Sequence, residues 1–224
     1  MESDTDSDEG LSISAIKVKM ANAVHRRCKK AVDGPIYITF DIDMQKTLPL
    51  PKIATSVAFY LRQLWFYNLG VRLITDKGEN GYMQTWQENE AGRGAIEVCS
   101  GLLAFMEIAQ DEIEQSKASV AWSDSCGGQN KNFTMVTFWQ YILTTRRSDV
   151  IDHKFPEVGH SHMDSDRDFG LIEQSISKVE KVFTGDEYRN IIKNVKVHKR
   201  PFVAQNIAGG LINEKNLQNA MKLT

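Results

Sequence analysis

The chain has 224 residues, 42% of them hydrophobic, enough to bury one substantial core, and this argues against a wholly disordered protein. Its formal charge of −2 conceals an acidic start: Glu2, Asp4, Asp6, Asp8 and Glu9 supply −5, which leaves the remainder at a mildly basic +3, compatible with nucleic acid but not diagnostic of it. Three cysteines (Cys28, Cys99, Cys126) without short pair spacing argue against a disulfide framework and against structural zinc, and there is neither a membrane-length apolar run nor a signal peptide.

The expectation is a reduced, soluble, intracellular protein with no membrane partner. Residues 1–10 read as a disordered acidic tail. Residues 11–33 read as a lead-in helix, its helical spacing ending in the basic run Arg26, Arg27, Lys29, Lys30. After the Asp33-Gly-Pro35 turn, residues 36–42 alternate as a strand. Ile38, Phe40 and Ile42 fall on one face, and Tyr37, Thr39, Asp41 and Asp43 on the other. A proline-bearing loop leads to a short helix-like stretch at 54–62. Strands are expected at 65–75 and 82–87, joined by a turn-rich segment. Helical spacing covers 91–116, with a strand at 119–124, a helix at 130–146, a strand at 153–158 and a helix at 165–183.

Three meandering strands followed by alternating helices and strands predict an α/β domain over 34–184. Its five-stranded mixed sheet should carry helices on both faces. Residues 185–224, with the basic patch Lys193, Lys196, His198, Lys199, Arg200, read as a C-terminal appendage.

Three acidic signals sit where elements begin or end. Asp41 and Asp43 share the polar face of the first strand, an unusual place for Asp unless it ends the strand or has a task. Asp43, nearer the end, is the preferred metal ligand, with Asp41 as supporting neighbour or alternative. Asp124 ends a strand before Ser-Cys-Gly-Gly, where an open α/β sheet gathers ligands. A plain helix-entry turn explains the glycines but not the acid, and the spacing of a phosphate-binding P-loop is absent.

Asp164-x-Asp166-x-Asp168 opens like a calcium-binding loop. Phe169 and Ser175 occupy the positions that need Gly and Glu, so that reading fails. Ser165 is instead expected to cap a helix whose dipole favours acids in its first turn. Capping accounts for one or two of the three. Asp166 is the chosen ligand, and Asp164 and Asp168 are its rivals. Glu97, on the first long helix, is a weaker fourth candidate carboxylate.

His160 and His162 with Cys126 make a poor zinc set, and no separate histidine motif completes a hydrolase triad. A structural role is the first expectation for His160, with phosphate contact or acid–base work as the alternative.

The stretches Phe40-Asp-Ile-Asp-Met-Gln-Lys-Thr-Leu-Pro49, Trp122-Ser-Asp-Ser-Cys-Gly-Gly-Gln-Asn-Lys-Asn132 and Pro156-Glu-Val-Gly-His-Ser161 with Ser165-Asp-Arg-Asp-Phe-Gly170 resemble a family of uncharacterised, transposon-derived animal proteins. The similarity spans residues 36–181. It implies a ribonuclease H-like fold and an integrase-type (DDE/DDD) transposase core, with Asp43, Asp124 and Asp166 as the catalytic acids. Proteins of that family are generally longer at the amino end, so the likeness implies a truncated copy or a retained host gene.

The mechanism expected from these acids is metal-assisted cleavage or strand transfer at a phosphodiester. Two Mg²⁺ or Mn²⁺ ions on the three acids would activate water or a 3′-hydroxyl, because hard cations take oxygen ligands. Lys131, Arg167 and His160 are the expected phosphate contacts. DNA is favoured over RNA as partner, with self-association as a further partner class, and the nucleus is the expected location. The alternative is a catalytically inactive transposon-derived module that binds DNA or protein.

Overall fold

The computed structural model describes residues 37–53, 62–113, 116, 118–145, 148–156, 164–196, 200–213 and 215. The expected acidic tail, the lead-in helix, all but the last residue of the helix-like stretch at 54–62, and both His160 and His162 lie outside them. Strands β1 (Tyr37–Met44), β2 (Leu48–Leu50), β3 (Leu64–Thr75) and β4 (Gly78–Gln87) come first. Helices α1 (Ala95–Ile108) and α2 (Gln110–Ile113) precede β5 (Ala118–Ser123), and α3 (Phe133–Thr144) precedes β6 (Val150–Lys154). Then come α4 (Asp164–Ser177), α5 (Gly185–Lys193) and β7 (Val203–Asn206), with a short 3₁₀ turn at Ala208–Gly210.

These strands build one mixed seven-stranded sheet in the order β6-β5-β1-β3-β4-β7, with β2 also paired to β3. β3 runs antiparallel to β1 and to β4, whereas β5 lies parallel to β1 and β6 parallel to β5. The alternation in β1 divides the sheet as its sequence predicts. Ile38, Phe40 and Ile42 are buried against Val98, Leu102 and Phe105 of α1 and Phe138 and Ile142 of α3. On the other face Met83, Phe202 and Ala204 pack with Phe169, Ile172 and Ile176 of α4 and Tyr188 and Ile192 of α5. Burying side chains of this size stabilises by roughly 1.5–3 kcal/mol each, and both layers draw on it.

Gly70 of β3 pairs with Asp43 and sits beneath Phe169; a Cβ there would lie 2.7 Å from the ring. The missing side chain therefore lets α4 settle close to the sheet, which brings its first turn towards the end of β1.

Several elements depart from the sequence expectation. The sheet has seven strands rather than five, because β2 and β7 are too short to show a clear alternation. The long helix expected over 91–116 is shorter and interrupted: Ala109 terminates α1 before α2 resumes. β6 lies at 150–154 rather than 153–158, its partners being Ala118–Trp122 of β5. α4 starts at Asp164, so Ser165 stands inside the first turn rather than before it, and the helix ends at Ser177. Val182, expected inside that helix, instead bridges to Lys52.

The segment after Gly185, expected as an appendage, is joined to the core. β7 pairs in parallel with β4 over Tyr82–Thr85, and Tyr188 is fully buried, with its hydroxyl donating to the Pro49 carbonyl at 2.7 Å. Among the described residues no helix is long and apolar enough to cross a membrane.

Candidate functional site

β1 and β5 are parallel neighbours, so Asp43 at the end of one and Asp124 just beyond the other emerge at the same edge of the sheet. α4 packs against β1 and β3, and its first turn delivers Asp166 to that edge. Two of these acids act electrostatically on the third. Burial, then the Asp166 carboxylate, then the Asp124 carboxylate push the Asp43 carboxyl up to about 7, against the lowering effects of the Met44 amide and of Arg93. The Met44 amide donates to Asp43 Oδ1 at 2.8 Å.

Asp124 is held on one oxygen. Its Oδ1 accepts from Asn130 Nδ2 at 2.6 Å and from the Cys126 amide at 3.2 Å, so Oδ2 carries none of these bonds. The strand end behind it is fixed by a polar chain. Trp139 Nε1 donates to His153 Nδ1 at 3.1 Å, which leaves His153 Nε2–H to donate to Ser123 Oγ at 2.8 Å. Ser123 Oγ in turn donates to the Asp124 carbonyl at 3.0 Å. Burial pulls the His153 imidazole down to about 4, so it is neutral at physiological pH, in keeping with this tautomer. Sequence reading placed residue 153 only as the start of a strand. Nothing local marks it, because its partners lie 14 and 30 residues away.

The rival acids are placed differently. Asp41 is buried, pairs with Arg72 in register and shares the face of Asp43 one step deeper into the sheet. Asp168 is buried and bound to two cations, Arg72 Nη1 at 2.5 Å and Lys196 Nζ at 2.7 Å. Asp164 is the first residue of α4. Glu97 takes part in the capping of α1, accepting from the amides of Gly92 at 3.1 Å and Gly94 at 2.8 Å.

Of the expected phosphate contacts, Arg167 is exposed beside Asp166. Lys131 is exposed, with its Nζ 5.4 Å from the centroid of the Phe155 ring. Arg93 was not singled out from sequence, where it falls within the helix expected over 91–116; the structure places it in the loop before α1. It is exposed and near enough to Asp43 to act on its carboxyl.

Whether these acids suit a divalent cation is a question of charge and donors. All donors are carboxylate oxygens, the right chemistry for Mg²⁺ or Mn²⁺. A buried carboxyl whose ionisation two neighbouring carboxylates oppose further marks a place where positive charge is favoured. Among the described residues no three His, Cys, Asp or Glu side chains are already gathered closely enough to hold one ion. The fit is therefore one of charge and donor type, not of a closed cage.

The raised Asp43 carboxyl has a stability consequence. A group whose folded pKa lies above its unfolded value of 3.8 stabilises fully below 3.8, and that contribution is lost as pH rises to about 7. In EDTA, Asp43→Asn should therefore be more stable than the parent chain at pH 8 by on the order of 2 kcal/mol, with a much smaller gap at pH 4. Urea unfolding at the two pH values measures it; an equal gap at both would show that folding leaves the Asp43 carboxyl unshifted.

A family model described as Domain of unknown function (DUF7869) matches residues 98–220, which include Asp124 and Asp166 but not Asp43. A comparison with curated proteins yields no match. Among solved structures, the crystal structure of NurA is similar over 95% of this chain and 46% of that chain, at 8% identity and a TM-score of 0.25. The chain thus spans about half the length of that structure, and a score so low establishes neither a shared fold nor a shared activity.

Proposed function

We propose, for a chain that belongs to the DUF7869 family of unknown function, divalent-metal-dependent cleavage or strand transfer at nucleic-acid phosphodiesters by a transposase-derived, ribonuclease H-like domain. One observation carries this reading. Asp43, Asp124 and Asp166, far apart in sequence, come near enough together that two of them oppose ionisation of the third. The sheet order supports it too. A central β1 has the antiparallel β3–β4 meander on one side and parallel β5 and β6 on the other, as the expected meander followed by alternating helices and strands requires.

Asp43, Asp124 and Asp166 would hold Mg²⁺ or Mn²⁺, which when bound supplies Lewis-acid activation of the attacking oxygen and charge stabilisation at the phosphate. The chain's own part is positioning. Asn130 and the Cys126 amide fix the Asp124 carboxylate, and the Trp139–His153–Ser123 chain fixes the backbone that carries it. Arg93, Lys131 and Arg167 are exposed cations suited to backbone phosphates. DNA is the preferred substrate on this reading, and the nucleus the place of action.

The test is calorimetric titration with Mn²⁺, followed by incubation with supercoiled DNA in Mn²⁺ and in EDTA. Metal binding and nicking confined to Mn²⁺ are expected. Tight, steeply salt-dependent DNA binding with neither metal uptake nor nicking would overturn the enzyme in favour of an inactive DNA-binding module.

A further inference from the structure

Phe133, the first residue of α3, is 72% exposed, and Val136 one turn on is 51% exposed. Phe133 is not on a loose segment. Asn132 caps the helix by accepting from the Met135 amide at 2.9 Å, while its Nδ2 donates to the Gly127 carbonyl at 3.1 Å. The Cys126 carbonyl gathers the amides of Gln129, Asn130 and Lys131 at 3.2, 2.8 and 3.0 Å. The turn that presents Phe133 is therefore the same one that orients Asp124.

This turn is tied to the loop before α1, because Gln129 Nε2 donates to the Arg93 carbonyl at 3.3 Å. Arg93 and Lys131 are both exposed, Arg93 joined to this turn through its carbonyl and Lys131 standing two residues before Phe133 with its Nζ over the Phe155 ring. Gly127 and Gly128 are open: a Cβ on either would meet nothing within 4 Å, so a bulky ligand can approach the backbone there. A fixed, solvent-facing ring, with one exposed cation two residues before it and another tied to its turn through the backbone, matches what single-stranded nucleic acid asks for, a stacking platform for a base and charge for its phosphates. Duplex DNA hides its base faces and gives an exposed Phe nothing to stack on.

We propose that Arg93, Lys131 and Phe133 form a binding strip for an unpaired nucleotide segment, with Phe133 stacking on a base and the two cations holding phosphates. The proposal rests on the reading of the acid site as a nucleic-acid site and names its substrate class as single-stranded. An unpaired segment laid along this strip passes directly over the turn that follows Asp124.

Fluorescence anisotropy with a labelled oligothymidylate and a matched duplex, both in EDTA, tests binding apart from any metal chemistry. Wild type is expected to prefer the single strand. Phe133→Ala should weaken that binding about tenfold, as loss of one stacked base does, leave duplex binding unchanged, and be rescued by Phe133→Trp. Arg93→Gln and Lys131→Gln should each make the salt dependence shallower by about 0.7 in log–log slope.

Equal single-strand affinity in Phe133→Ala and wild type overturns the proposal. So does a wild type that binds no oligonucleotide in EDTA, whatever the Mn²⁺ titration gives. Concentration-dependent sedimentation of the wild type that Phe133→Ala removes would assign the face to a second copy of the chain, and overturns it as well. The acid site stands or falls separately, on metal uptake.

Discussion

Asp124→Asn is expected to fold as well as the parent chain, take up no Mn²⁺ in calorimetry and leave supercoiled DNA intact. The loss should be at least the roughly 10²–10³-fold that removal of one charge-stabilising group costs in other active sites. The amide is nearly isosteric with the carboxylate, and its Oδ1 can still accept from Asn130 Nδ2 and the Cys126 amide, the two bonds Asp124 makes. What disappears is the negative charge at Oδ2.

The same change removes one of the two carboxylates that oppose ionisation of Asp43. In EDTA at pH 8 the variant should thus match or exceed the parent in stability, a sign opposite to that of an ordinary structural lesion. A gain in stability with a loss of function is the expected signature where like charges are held together for chemistry. Full nicking by Asp124→Asn would remove Asp124 from the mechanism. A variant that unfolds more readily in EDTA would instead place it in the scaffold.

How far the site was legible follows from the range of the forces that place each residue. The strand-end positions of Asp43 and Asp124 were readable because strand alternation and a Gly-Gly turn are local signals, and parallel β1 and β5 do the rest. The register within Asp164, Asp166 and Asp168 was not readable. What distinguishes Asp168 is Arg72, 96 residues earlier, and Lys196, 28 residues later, pairings that no window of local sequence contains. His153 was missed for the same reason.

The C-terminal segment misled in another way. Its charge reads as a surface patch, yet Lys196 turns onto Asp168 with its Nζ 4.1 Å from the centroid of the Phe202 ring, and Tyr188 and Ile192 supply an apolar face to the second core. β6 slipped in register because Val150-Ile151 and Phe155 offer similar apolar starts. Pairing with β5, a non-local choice, selects the first.

Asp168→Ala should be the most destabilising single change at this end of the molecule, costing about 3–5 kcal/mol. Asp168 and Arg72 are 1% and 6% exposed, and the carboxylate accepts from Arg72 on one oxygen and from Lys196 on the other. Removing it strands a buried guanidinium whose remaining charged partner is the half-exposed Glu79, at 2.5 Å.

Glu79 softens the loss, so the lower part of that range is the better expectation at moderate salt. Replacing both buried partners, Arg72→Met with Asp168→Leu, should recover most of it, since two apolar side chains leave no unpaired charge. The pair also separates scaffold from site. Asp168 lies two positions after Asp166, so a loosened α4 in Asp168→Ala should weaken Mn²⁺ binding indirectly, and the double variant should restore it. Mn²⁺ affinity that stays lost in a double variant with recovered stability would instead make Asp168 part of the metal site. Urea unfolding and Mn²⁺ calorimetry on the three chains decide between a buried ion pair that holds α4 in place and a fourth acid of the cluster.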